Sequence, residues 1–367
     1  MMFHLVTPVW GEAYTELFLT VVLPTLLSPG NLLAFARRGV RAVYWIYTRS
    51  EDAERIRQSP AFARLAEAMS AEIELIDELD CAGDSKYRTL ARCHCRAIAA
   101  AEADGAGMMF PPPDEIWSEG AFDRLLALAA AGKRVALVPG VRVTKETFMP
   151  AVLERGLPGT GAGAPLGARE LARLVLAHLH PYCAAQFWDS PCFNSWPSHV
   201  YWRVADRGFV ARCFHMHPLM VIPRHSGAGP SVSLDADFVE TACPDRDDYY
   251  VATDSDEILG CEISRRDQFG DYPPRRASAR RVARWAAGAA NAQHRSFFFH
   301  DVIRFHCGEL SGDAAPEWRR VEAQARRVAR GVAFWLRWGL LPFYARRRVQ
   351  PWLGRAKARL RAGLSRT

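Results

Sequence analysis

Residues 107–120 constrain this chain more than any other stretch: Gly-Met-Met-Phe-Pro-Pro-Pro-Asp114-Glu115-Ile-Trp-Ser118-Glu119-Gly120. A short apolar run stops at three prolines and then delivers carboxylates, a hydroxyl and a glycine. Proline cannot donate to a sheet ladder, so the run is expected to end as a strand there. Helix-like sequence precedes it, Lys86–Ala103, and follows it, 121–131. The acids are therefore expected just past the carboxyl end of a strand, where open α/β sheets bind ligands. Oxygen donors so held suit a divalent cation. Asp and Ser are also ordinary helix starters, so a capped turn is the plain alternative.

The surrounding 150 residues repeat this alternation. Apolar or β-branched runs at 3–9, 43–48, 107–110 and 134–138, with a period-two segment at 72–76, predict strands. Helical patterns lie between them at 13–27, 51–69, 86–103 and 121–131. Strands separated by helices pair in parallel through right-handed crossovers, giving an α/β fold with a mostly parallel sheet flanked by helices. The glycine-rich segment 156–167 reads as a connection. It leads from no clear strand, so it is not a dinucleotide fingerprint. After it come a helix at 168–180, aromatic and histidine-rich strands and loops at 188–222, short strands at 249–252 and 258–263, and a helix at 277–292. The expected division is 1–155, 168–310 and a basic amphipathic helical tail, 311–367.

With 367 residues, 49% of them hydrophobic, the chain can bury a large core. Its nine cysteines are scattered without a CxxC pair, which predicts reduced thiols and a cytoplasmic setting. Cys93-His94-Cys95 on a helix would point three ways and make a poor metal site. No signal peptide is expected, since Met1–Leu5 lacks a basic region and 17–27 is broken by Pro24. No window is long and apolar enough to span a membrane. The net charge of +7 is a local property: from Arg319 onward fourteen Lys and Arg face the single acid Glu322, so the preceding 318 residues carry about −6. That balance argues against a nucleic-acid partner. GxSxG, Walker and HExxH motifs do not occur, which removes the commonest hydrolase, kinase and zinc-protease readings.

Four groups of residues could carry chemistry. Thr7, Pro8, Trp10, Gly11 and Glu12 form the first strand-to-helix turn, a place where an aromatic face and backbone amides can hold a nucleotide. Lys86 and Arg88 stand near a helix N-terminus, where the macrodipole opposes cations, so an anionic ligand such as a diphosphate is a natural partner. His215 and His217 should share one face of an extended segment and could ligate a metal or move a proton. Asp235 with Asp237, and Asp254 with Asp256, put like charges at alternate positions and should face solvent or a cation.

Taken in order, these residues resemble a GT-A-type glycosyltransferase, bacterial and family 2-like, over about residues 3–265. The resemblance implies a nucleotide-sugar donor over the first half of the sheet (1–155) and an acceptor side at 168–310. Thr7–Glu12 match the nucleotide turn, Asp114 and Glu115 the acidic metal motif, and His215 or His217 the late ligand of a Mn²⁺ or Mg²⁺ ion. The motif reads Pro-Asp114-Glu115-Ile-Trp-Ser-Glu119 rather than a plain DxD, so Lys86, Arg88 or Arg142 could neutralise the diphosphate instead. A carboxylate base for the acceptor hydroxyl is expected among Asp189, Asp235 and Asp237. The acceptor is expected to be a carbohydrate, free or lipid-linked. In the tail, Val328, Val332, Trp335 and Leu336 fall near one helical face, with arginines elsewhere. This pattern suits an anionic membrane surface at the cytoplasmic face, or else a helix packed on the domain. A non-catalytic nucleotide-binding or scaffold protein, and a metal-dependent hydrolase using His215 and His217, are the alternatives.

Overall fold

A computed structural model describes residues 1–79, 85–157, 163–227, 229–230 and 234–339. Its strands are β1 Met2–Pro8, β2 Arg41–Thr48, β3 Ser70–Leu75, β4 Gly107–Met109, β5 Glu115–Trp117, β6 Val135–Val138, β7 Arg142–Thr144, β8 His199–Val204, β9 Gly208–Cys213, β10 His217–Val221, β11 Tyr249–Val251, β12 Gly260–Ser264 and β13 Ile303–His306. Seven of them form one mixed, mostly parallel sheet in the order β11-β6-β10-β4-β1-β2-β3. β1, β2, β3 and β4 run parallel to one another, β11 runs parallel to β6, and β10 alone runs against the strands on either side of it. The central strands β4 and β6 are buried along their whole length, as strands covered on both faces must be. Edge strand β3 instead alternates, its glutamates outward, and Glu74 pairs with Arg96 at 3.0 Å.

The helix Lys86–Ala103 shows how sequence fixes this packing. Thr89, Cys93, His94, Ala97, Ile98 and Ala101 recur at three- and four-residue spacing and are buried, and the helix packs on β1. The pattern read as a helix at 13–27 is an unbroken helix over 12–26, whose middle residues Phe18–Val22 are wound with wider π spacing ahead of Pro24.

A small sheet, β5-β12-β7, stands beside the carboxyl ends of the large one. β12 runs antiparallel to β5 and parallel to β7, aligning Glu115 with Glu262 and Glu262 with Arg142. Gly260 is required in this sheet. It lies opposite Trp117, whose ring would be 2.5 Å from a Cβ added there.

The third sheet, β13-β9-β8, is wholly antiparallel. It carries a second core in which Val200, Trp202, Val210 and Phe214 meet the helices Ala279–Ala289 and Ala315–Phe334. The face of that last helix which the sequence offered to a membrane is used inside the protein. Trp318, Val321, Ala325, Ala329 and Val332 are buried, and Val328, Trp335 and Leu336 pack half-buried against the same core. Buried Glu322 accepts from Arg304 of β13 at 2.7 Å. Phe334 and Trp338 stay exposed. Arg346–Arg348, Arg355, Lys357, Arg359 and Arg361 lie outside the described residues. No helix of the described residues is long and apolar enough to cross a membrane.

This packing separates two aromatic residues of one helix. Trp318→Ala is expected to destabilise the protein by about 3–5 kcal/mol, the range for emptying a buried aromatic site. Phe334→Ala should stay within about 0.5 kcal/mol. Urea midpoints of the two variants measure the difference, and equal losses would mean the helix is not seated as described.

Candidate functional site

The chain moves outward from β1 to β2 and β3, then returns to place β4 on β1's other side. Right-handed crossovers leaving two adjacent strands in opposite directions open a crevice above their carboxyl ends. A cavity of about 350 Å³ lies there. The end of β1 contributes Pro8 and Trp10, and the segment after β4 contributes Phe110, the three prolines, Asp114 and Glu115. The triple-proline turn is fastened from below. Buried Thr7 donates its hydroxyl to the Pro111 carbonyl at 2.8 Å, and that hydroxyl lies 2.7 Å from the Tyr44 phenol.

Because β10 runs antiparallel, its first residue rather than its last reaches this end of the sheet. His217 thus lines the cavity, its Nε2 2.7 Å from the Phe110 carbonyl. A carbonyl only accepts, so this nitrogen carries the proton. Burial pulls the His217 pKa down to about 4. His94 reaches the same floor from the helix Lys86–Ala103, edge-on to Phe110, and burial, aided by neighbouring His217, lowers its pKa to about 3.

The opposite wall is the row Glu115–Glu262–Arg142 across the small sheet. Directly opposed residues share a face, so two like charges meet here and Arg142 offsets them. Its guanidinium bonds Glu262 and reaches the Ser264 hydroxyl at 3.2 Å. It also lies 4.6 Å from the Phe269 ring centre and 5.5 Å from that of Tyr182. Desolvation and the Asp114 charge beside it push the Glu115 carboxyl up to about 8, with Arg142 acting the other way. Asp114 is raised too, by burial, against the pull of Arg142 and Lys86. No donor among the described residues reaches the Glu115 carboxylate. Two adjacent oxygen donors of this kind fit a hard divalent cation. Lys86 faces the cavity with Tyr14 and Tyr87 around its ammonium, and a neighbouring depression adds Lys145 and Arg265.

Of the residues singled out in the sequence, the structure gathers Pro8, Trp10, Lys86, Asp114, Glu115, Arg142 and His217 in this cavity. The others stand elsewhere, each for an identifiable reason. Thr7 is a buried fastener. The Gly11 amide donates to Asp52 at 2.7 Å, and Glu12 is exposed in the first helical turn. Arg88 is exposed on the helix and does not line the cavity. His215 does not share the cavity with His217, because it lies ahead of β10, in the connection from β9, and stacks 4.2 Å from His294. Ser118 accepts from the Leu259 amide at 3.2 Å, and Glu119 accepts from the Gly30 amide, so this half of the acidic motif is structural.

None of the three proposed bases lines the cavity. Asp189 is exposed beside Arg203, and Asp237 is exposed and accepts from Asn291 at 2.7 Å. Asp235 accepts from His294 at 2.7 Å. Two groups among the described residues have ligand atoms close enough for one ion: His215 with Asp235 and His294, and Asp254 with Asp256 and His306. In the first, His294 Nδ1 accepts the Asn291 amide in a helix cap, so its Nε2 bears the proton given to Asp235. In the second, both His306 nitrogens are engaged, by Asp254 and Gly308, while Asp256 pairs with Arg169.

Sequence reading missed His94, Glu262 and Phe269. The spacing of His94 from Leu90, Ala97 and Ala101 puts it on the inward face of its helix, a signal that the metal-like look of the Cys-His-Cys triplet masks. Glu262 and Phe269 gave no local signal, because only the pairing of β12 with β5 and β7 brings them here.

No protein-family model matches the chain, and no curated protein does. Among solved structures the chain is similar to the crystal structure of S. aureus TarS, at 14% identity and TM-score 0.27, over 38% of this chain and 22% of that one. It is also similar to the apo form of mouse xyloside xylosyltransferase 1, at 11% identity and TM-score 0.27, over 42% of this chain and 59% of that one. The chain thus spans less than two thirds of either neighbour's length. Likeness at this level assigns no activity; the chemistry of the cleft has to do that.

The buried histidines give a pH signature. Unfolded histidine titrates near 6.5, whereas His94 in the fold titrates at about 3 and His217 at about 4. Their contribution to stability is complete above about pH 6.5 and is lost as pH falls toward those values, since the unfolded chain then binds more protons. His94→Gln should flatten the loss of urea stability between pH 7 and pH 4.5. An unchanged pH slope would mean that His94 is not buried neutral.

Proposed function

We propose that this protein is a glycosyltransferase that moves a sugar from a nucleotide-sugar donor to a carbohydrate or lipid-linked acceptor. One observation carries the reading. A single cleft at the sheet's switch point brings together aromatic faces (Trp10, Tyr14), two cations (Lys86, Arg142) and an adjacent carboxylate pair (Asp114, Glu115). Aromatic faces suit a base, and cations suit a diphosphate. Asp114 and Glu115 would hold Mn²⁺ or Mg²⁺, which when bound neutralises charge on the diphosphate.

In the transfer, the acceptor oxygen bonds to the anomeric carbon as the bond from that carbon to the diphosphate oxygen breaks. Negative charge grows on the leaving diphosphate. Arg142, fixed between Glu262 and two aromatic rings, and Lys86 at the helix start face that charge without having to reorganise. The acceptor hydroxyl loses its proton to a base. Among the carboxylates proposed for that task, Asp235 is the one next to a residue of the cleft wall, Leu234.

The basic segment beyond Gly339 is proposed to bring the enzyme to anionic lipid, at about 1 kcal/mol per Lys or Arg near the surface. The support is its composition, together with the commitment of the preceding helix to the second core.

Calorimetric titration with UDP- and GDP-sugars, with and without Mn²⁺, followed by an assay of nucleotide release, tests the main reading. Asp114→Asn should lower turnover about 100-fold or more and change stability by less than about 2 kcal/mol. Undiminished turnover in that variant would remove Asp114 from the diphosphate site. For the membrane contact, full-length protein should float with anionic vesicles at low salt and protein ending at Gly339 should not. Equal behaviour of the two rules out the tail as the anchor.

A further inference from the structure

Beside the donor cleft lies a second hollow of about 380 Å³. Phe269 lines both, and the Arg142 guanidinium lies beside the rings of Phe269 and Tyr182, themselves 5.0 Å apart. The walls of the second are Tyr182, Tyr272 and Trp196, with Asn194, Ser195 and Asp271 between them. Apolar faces interrupted by a few fixed polar atoms are the usual make-up of a small-molecule site.

Two of those polar atoms are unsatisfied. Asn194 is only 4% exposed, and its Oδ1 accepts the Trp196 amide at 2.8 Å, but its Nδ2 has no partner. The Tyr272 hydroxyl is likewise buried and has none. Leaving a buried donor unpaired costs about 1–3 kcal/mol. Both residues line the hollow, though water in it touches neither atom, so a ligand pairs with these donors only by drawing them toward it.

Trp196 adds a third feature. Its side chain is 52% exposed, yet the residue is held firmly. Its amide is bound by Asn194, its carbonyl accepts from Gln186 at 3.1 Å, and its indole abuts Trp285 edge-to-face at 5.4 Å. An exposed aromatic held in place is an immobile platform rather than a loose surface group. A pyranose has the matching duality: an apolar C–H face to lie on the indole or a tyrosine, and a rim of hydroxyls for Asn194, Tyr272 and Asp271.

We propose that this hollow is a saccharide subsite that seats a pyranose of the acceptor next to the donor cleft. The assignment rests on the glycosyl-transfer reading for its role but not for its existence. Trp196 and Tyr272 would position the sugar, and Asp271, exposed and without an ion-pair partner among the described residues, would accept from a hydroxyl.

Full-length protein is examined by saturation-transfer NMR with methyl glycosides of glucose, galactose, N-acetylglucosamine and rhamnose, and with the octyl glycosides below their micelle concentration. UDP and GDP with Mn²⁺ are titrated separately. At least one methyl glycoside should bind. Tyr272→Phe, which removes only an unpartnered hydroxyl and so spares the fold, should weaken it about tenfold, and Trp196→Ala at least as much. Nucleotide binding should be unchanged in both variants. Absence of binding by every methyl glycoside, equal binding by wild type and variants, or binding that needs the octyl chain and ignores Tyr272 overturns the subsite. Tyr272-dependent glycoside binding without nucleotide binding keeps the subsite and overturns the donor reading instead.

Discussion

The cleft depends on the reversal of strand order between β1 and β4. Two adjacent parallel strands whose crossovers depart in opposite directions cannot both be roofed by the same helix, so the crevice above their ends stays open. Every other part of the site is placed relative to that gap. The Thr7 hydroxyl fastens the proline turn over it. The helix Lys86–Ala103, which packs on β1, brings Lys86 and His94 to its rim and floor. The small sheet closes the far side, because β5 begins where the proline turn ends.

The electrostatics of that far side run against stability. Asp114 and Glu115 are adjacent carboxyls in a desolvated wall, and Glu262 adds a third directly opposite Glu115. A chain selected only for stability would place apolar residues or an additional cation here. Arg142 is the sole counterion in the row, and it is itself occupied by Glu262 and by two aromatic rings. Asp114 and Glu115 are thus held toward their protonated forms. The large core around β4 and β6 absorbs that cost, and the imbalance of charge is what supports the cation proposed for this wall.

Much of this was legible in the sequence. β1, β4 and β6 are runs of largely buried residues bounded by prolines, glycines or charges, β2 is a β-branched and aromatic run, and local pattern finds them. Pro111–Pro113 located the acids correctly relative to the sheet. What could not be read was any position set by partners distant in the chain. β5 and β7 are three residues each and owe their extended form to β12, more than a hundred residues later. The expectation for His215 and His217 failed because period-two reasoning assumes both lie in a strand, and β10 starts only at His217. The tail's apolar stripe was correctly identified, but amphipathicity does not say what covers the stripe. Here β8, β9 and the helix Ala279–Ala289 do.

The antiparallel strand β10 also bears on how the molecule is assembled. β4 ends at residue 109 and β6 at 138, yet they are not neighbours; the space between them waits for residues 217–221. During synthesis, two apolar strand edges in the middle of the nascent sheet stay unpaired while about eighty more residues are made, several seconds at ordinary elongation rates. Open edges of this kind invite pairing with other chains. Closure late in synthesis by a non-local strand is slow. Premature termination anywhere between 138 and 217 would leave a chain with a slot rather than a smaller stable domain. The strand that fills the slot is also the one that delivers a histidine to the cleft, and β11 joins the far edge of β6 only after it.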